Sequence, residues 1–177
     1  LKQVAFHDAL TELPNRRYLI ERVEMALSDA RRRGESIALL LIDLDHFKPI
    51  NDGHGHDAGD LLLRTLSQRL RDLVRSSDMA ARLGGDEFAV LLTGPNVEQD
   101  AAQIAERLLH ELSQPVPYRD VTLAVTISVG AAFFPRHADG FSQLYKAADE
   151  ALYRAKHQGR GNWVQQEEQA RPANQPM

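Results

Sequence analysis

The chain has 177 residues, 43% of them hydrophobic and 26% charged, with a formal net charge of −4 and no cysteine. These values exclude a disulfide framework, thiolate metal sites and a bulk electrostatic footprint for nucleic acid. No apolar run nears the ~18 residues needed to span a membrane and no signal peptide is evident, so the expectation is one domain with its own core in the cytoplasm. Arginine outnumbers lysine; this fits either a coding bias or phosphate recognition by the guanidinium fork.

Leu1–His7 reads as the end of a helix entering from elsewhere, followed by a turn-rich link, "DALTELPNRR", in which Pro14 helps to start the next helix. Arg16–Arg33 carries Leu19, Ile20, Val23, Ala26, Leu27 and Ala30 at helical spacing, and Gly34 ends it. "SIALLLIDLD" follows as a strand; its unbroken apolar run implies burial on both faces. "HFKPINDGHGHDAGD" reads as a polar, glycine-rich loop that turns into an amphipathic helix reaching about Ser76. Met79–Leu83 and Phe88–Leu92 form a predicted hairpin with Gly84–Gly85 at its tip. Val97–Leu112 is helical, "VTLAVTISVGAAFF" is one long strand in which Gly130 marks a bulge or a close approach, and Phe141–Gln158 is helical. "GNWVQ" adds a short last strand, and the polar tail from Glu167 reads as disordered or a linker. The order predicts an α+β fold, a ferredoxin-like βαββαβ palm with an antiparallel central sheet, helices on one face, and an extra helix and short strand. The expected boundaries are 1–13 for the upstream helix end and link, 14–166 for the domain, and 167–177 for the tail.

In that topology Asp43, at the end of the first strand, and the Asp86–Glu87 pair, at the hairpin tip, meet at one sheet edge. Carboxylates gathered this way repel unless a cation joins them, and hard oxygen ligands suit Mg²⁺ held by one or two carboxylates plus substrate phosphates. A glycine pair with nearby acids also serves simply as a turn. His46, His54 and His56 with Asp57 raise a zinc or di-metal reading, against which no second His/Asp cluster exists to complete the cage. Asn51 and Asp60 have the right groups to read guanine, whose N1 and N2 donors suit a carboxylate; Asp60 also suits a first helical turn.

Four segments, "DALTELPNRR", "IDLDHFKPINDGHGHDAGD", "RSSDMAARLGGDEF" and "ADEALYRAKHQGR", stand in this order from Asp8 to about Asn162. Together they resemble the GGDEF domain of diguanylate cyclases. The resemblance implies that Asp43 and Asp86, with the Leu44 carbonyl, hold Mg²⁺, two ions per active site, with Mn²⁺ a possible substitute. It implies that Glu87 helps deprotonate the GTP 3′-hydroxyl and that Lys48 stabilises phosphate charge. Asn51, His56 and Asp60 belong to the substrate loop. Lys156 and Arg160 face the terminal phosphates, although four-apart cations at a helix end also suit its dipole. Arg75 and Asp78 form the R-x-x-D of an inhibitory product site, or an ordinary i, i+3 pair. "GRGNW" departs from the more usual Gly-Arg-Asn-Arg ending, so residues after Arg160 are not securely matched.

The implied reaction joins two GTP into cyclic di-GMP and releases two pyrophosphates. Because the product has two-fold symmetry, the resemblance implies a homodimer, product feedback inhibition and an upstream sensor domain, with membrane attachment possible through regions outside this chain. The alternatives are a non-catalytic module that binds GTP or cyclic di-GMP, and another palm-type nucleotidyltransferase.

Overall fold

The computed structural model describes residues 5–168. Strand β1 (Ile37–Leu44) organises it, and all eight of its residues are buried. It lies at the centre of a five-stranded sheet of order β2-β3-β1-β6-β7, between β3 (Glu87–Thr93) and β6 (Ile127–Phe134), antiparallel to both. β2 (Met79–Gly84) pairs antiparallel with β3 at one edge. β7 (Trp163–Gln165) pairs parallel with β6 at the other, which is the short last strand expected from "GNWVQ".

Successive residues of a strand point to opposite faces, and β1 is apolar at both parities. Ala38, Leu40, Ile42 and Leu44 join a core with helices α3 (His56–Leu73) and α4 (Val97–Glu111). These two are the crossover helices of the βαββαβ core, and they share one face as expected. Ile37, Leu39 and Leu41 join a second core with α1 (Arg16–Arg33) and α5 (Phe141–His157), so the flanking helices cover the other face. Leaving that face in water would forfeit roughly 1.5–3 kcal/mol for each leucine.

Gly130 marks a close approach rather than a bulge. A Cβ there would lie 2.1 Å from the Leu152 backbone nitrogen and 2.4 Å from the Ala148 carbonyl oxygen. The alanine-rich face of α5, with Ala148, Ala151 and Ala155 buried, lets the helix sit this near to β6.

Four sequence expectations need correction. The loop from His46 is helical from its second residue: α2 (Phe47–His54) precedes α3, with only Gly55 (φ +90°) between them. Phe47 and Ile50, three apart, pack on the core and give α2 its buried side. The expected long strand is broken: Val121–Leu123 (β5) pairs with Val116–Tyr118 (β4) in a separate hairpin, and β6 begins at Ile127. α3 stops at Leu73, since Val74 is extended. The start of α1 is capped by Asn15, whose side chain accepts from the Tyr18 N–H at 3.0 Å, with Pro14 just outside. The remaining helices and the β2–β3 hairpin fall within about two residues of expectation. Ala5 and Phe6 are helical; residues 1–4 and 169–177, where the rest of the entering helix and most of the tail were expected, lie outside the described residues. Among the described residues no helix is long and apolar enough to cross a membrane.

Candidate active site

Asp43 is the penultimate residue of β1, with Leu44 the last. It pairs with Glu87 on one side and Ser128 on the other. The Leu44 N–H donates to the Asp86 carbonyl at 3.2 Å, tying the strand end to the hairpin tip. Gly84 (φ +137°) and Gly85 (φ +51°) make that tip, both in conformations that favour glycine, and a Cβ at either would meet open space. The three acids expected to converge therefore do so at one sheet edge.

Their environment is charged and partly dry. Asp43 is 8% exposed; Lys156, from the last turn of α5, pairs with its Oδ2, while its Oδ1 is buried with no hydrogen-bond partner among the described residues. Burial, then the adjacent Asp43 charge, pushes the Asp86 carboxyl up to about 6; a hydrogen bond to Asp43 and the Glu87 charge add to this. Glu87 is also raised, by burial first and the Asp43 charge second; Lys156 opposes the rise, Asp149 adds to it and Arg16 opposes it. Arg16 and Asp149 did not emerge from sequence reading. Each lies in a quoted segment, but neither pattern says that α1 and α5 turn them toward β3.

Among the described residues no three His, Cys, Asp or Glu side chains form a protein-only metal cage. The zinc reading of His46, His54 and His56 with Asp57 therefore fails. Two carboxylates with a bare buried oxygen instead fit a hard cation whose remaining ligands come from elsewhere. In the free chain the Lys156 ammonium supplies the positive charge.

Asp45 was also missed. It is buried and accepts from Thr126 Oγ1 at 2.6 Å, Ser128 Oγ at 2.7 Å and the Gly161 N–H at 2.9 Å. Arg160 (φ +63°) lies 3.7 Å from it. Asp45 thus anchors the loop after α5 that carries Arg160. "DLD" repeats an acid two residues after Asp43, and that repeat was the available signal.

Asn51 on α2 and Asp60 on α3 are brought together by the Gly55 junction, both half-buried. The Gly55 N–H donates to the Asn51 carbonyl at 2.9 Å. Lys48 and His56 belong to the same two helices and are exposed.

Arg75 and Asp78 sit apart. Asp78 is buried and accepts from Arg75 Nε at 2.8 Å and the Thr93 N–H at 3.3 Å. Arg75 also reaches Asp100 at 3.2 Å. With Arg107 of α4, which sequence reading did not single out, they line a cavity of about 100 Å³. It lies at the opposite end of β3 from Glu87, roughly 20 Å away at the rise of a strand. A larger groove of about 560 Å³, lined by Tyr18, Arg22, Met25, Arg33 and Thr93 among others, also lies at that far end and contains none of the acids.

A family model described as diguanylate cyclase, GGDEF domain, matches residues 5–162. Diguanylate cyclase TpbB of Pseudomonas aeruginosa is 44% identical over 163 residues, covering 92% of this chain and 38% of that protein. Diguanylate cyclase DosC of Escherichia coli is 43% identical over 155 residues, covering 86% and 33%. The chain thus spans less than two fifths of the length of these relatives. The solved GGDEF domain of TpbB is similar with a TM-score of 0.88 at 44% identity, over 91% of this chain and 94% of that one. The GGDEF domain of DgcB from Caulobacter crescentus, solved in complex with c-di-GMP, gives 0.84 at 31% identity, over 91% and 95%. With nearly its whole length matched and the signature acids gathered at one sheet edge, this chain belongs to the GGDEF domain family of diguanylate cyclases.

Proposed function

We propose that this domain condenses two GTP into cyclic di-GMP with release of two pyrophosphates. The observation that carries the reading is the convergence of Asp43, Asp86 and Glu87, with a bare buried oxygen on Asp43 and a cationic Lys156 beside it. Asp43 and Asp86, with the Leu44 carbonyl, would hold Mg²⁺, or Mn²⁺ in its place. When bound, two such ions neutralise charge at the α-phosphate and ease deprotonation of the attacking 3′-hydroxyl. Glu87 accepts or orients the 3′-hydroxyl proton. Its raised affinity for a proton suits that task, since a base works best with a pKa near the operating pH.

Asn51 and Asp60 read the guanine edge, and His56 closes the same loop. Lys48 meets phosphate charge. Lys156 turns from Asp43 to the terminal phosphates once substrate neutralises the carboxylates, and Arg160, held near Asp45, joins it. One domain offers one guanine site, whereas the product contains two guanines. Two protomers therefore face each other, each presenting its own GTP. Cyclic di-GMP binds back at Arg75 and Asp78, with Arg107 on the cavity wall. A sensor domain elsewhere in the protein supplies the input, on the cytoplasmic side where GTP is found.

The test is incubation with GTP and Mg²⁺, followed by mass analysis of the nucleotides and of the purified protein. Cyclic di-GMP is expected, formed at a rate that climbs faster than linearly with dilute enzyme. Asp86→Ala and Glu87→Ala each lower synthesis by at least about 100-fold. Binding of either nucleotide without turnover would make this a recognition module instead. A mononucleotide cyclic product would make it a different nucleotidyltransferase.

A further inference from the structure

Gly59 sits in the first turns of α3 and is buried, yet its backbone is helical and needs no glycine. A glycine inside a helix weakens it relative to alanine. The reason for this one is lateral. A Cβ on Gly59 would lie 1.8 Å from Asn51 Oδ1, 2.9 Å from Asn51 Cγ and 3.2 Å from Phe47 Cζ. The Gly55 junction folds α2 back on α3, and the Asn51 amide occupies the space where any other residue at this position would carry its first side-chain atom. The next residue is Asp60.

We infer that Gly59 is a specificity-positioning residue: its missing side chain is the slot that seats the Asn51 amide beside Asp60, so that both address one guanine. This rests on the reading of Asn51 and Asp60 as base readers. The substitution Gly59→Ala would force the amide to move by about 1 Å or more, because heavy atoms do not approach within about 3 Å of a Cβ. Hydrogen-bond geometry tolerates only a few tenths of an ångström before the bond weakens, and a displacement of about 1 Å at a binding group can cost about 100-fold. The fold is spared, since what the added methyl group meets first is the free end of a side chain.

The experiment measures binding of α,β-methylene GTP and α,β-methylene ATP, with Mg²⁺, to the chain and to Gly59→Ala, Asn51→Ala and the double variant, alongside their melting temperatures. Gly59→Ala is expected to weaken the GTP analogue about 10-fold or more, to narrow its preference over the ATP analogue, and to keep the melting temperature within a few degrees. On the Asn51→Ala background the same change costs nothing further, because the displaced amide is gone. That non-additivity is the signature of a slot; a merely structural glycine would add its effect in full. Wild-type affinity and preference in Gly59→Ala, while Asn51→Ala is impaired, would overturn the slot alone. Additive losses would overturn it as well. Unchanged binding in Asn51→Ala would overturn the base-reader assignment and the slot with it.

Discussion

Asp43 and Glu87 are register partners across β1 and β3, so their carboxyl groups share one end of the sheet although 44 positions separate them in the chain. Asp86, one residue back, completes the cluster and carries its highest resolved proton affinity. A sheet edge that concentrates three acids is unfavourable on its own, and the consequences are measurable.

Stability of the metal-free domain should depend on pH through Asp86. Its carboxyl is raised from an ordinary 3.8 to about 6 in the fold, so protonation favours the native state. That contribution is complete below about pH 4 and is lost as pH rises through 6. In chelator, Asp86→Asn should therefore gain stability relative to wild type between pH 5 and pH 8. Thermal melts at the two pH values read this directly. A difference that stays constant across the range would show that Asp86 is not the raised group.

Arg75→Ala should release product inhibition without lowering the initial rate. The Arg75–Asp78 cavity lies a full strand length from Glu87, so a ligand there does not compete with GTP inside the same domain. Initial rates with increasing cyclic di-GMP are expected to show inhibition in wild type that excess GTP fails to relieve, and none in the variant. The buried Asp78 carboxylate keeps its bond from the Thr93 N–H but loses the guanidinium. The variant should thus be less stable by about 1–3 kcal/mol.

Gly130→Ala should damage fold and activity together. The new methyl group would strike backbone atoms of α5 at Ala148 and Leu152 rather than a movable side chain. The helix must back away from β6 as a body, at a cost of about 1–3 kcal/mol or more. Lys156 rides on that helix and would move with it. A lower urea midpoint with reduced cyclic di-GMP synthesis is expected; an unchanged midpoint would mean that α5 is more loosely seated than its contacts indicate.

Much of this was legible in the chain itself. The apolar run of β1, the hairpin around Gly84–Gly85 and the helical spacing of α1 and α5 are local patterns, and local patterns survive in one dimension. An antiparallel hairpin beside a central strand then brings Asp86 and Glu87 level with Asp43 by topology alone. What was lost is informative in the same terms. α2 is short, with a glycine and a proline inside it and another glycine at its end, so its composition reads as loop; Phe47 and Ile50 form a helix there because a core waits beneath them.

Asp45, Arg16, Asp149 and Gly59 were invisible for a related reason. Asp45 matters through Thr126, Ser128 and Gly161, which come from segments more than 80 residues away. Arg16 and Asp149 act through their field at Glu87, and Gly59 through an atom it does not have. The sequence by itself determined which groups could do chemistry and which strands would carry them. Only the tertiary structure decided which charges face Glu87, which oxygen of Asp43 is left bare and where the Asn51 amide can rest, because burial and distance arise when the helices close on both faces of the sheet.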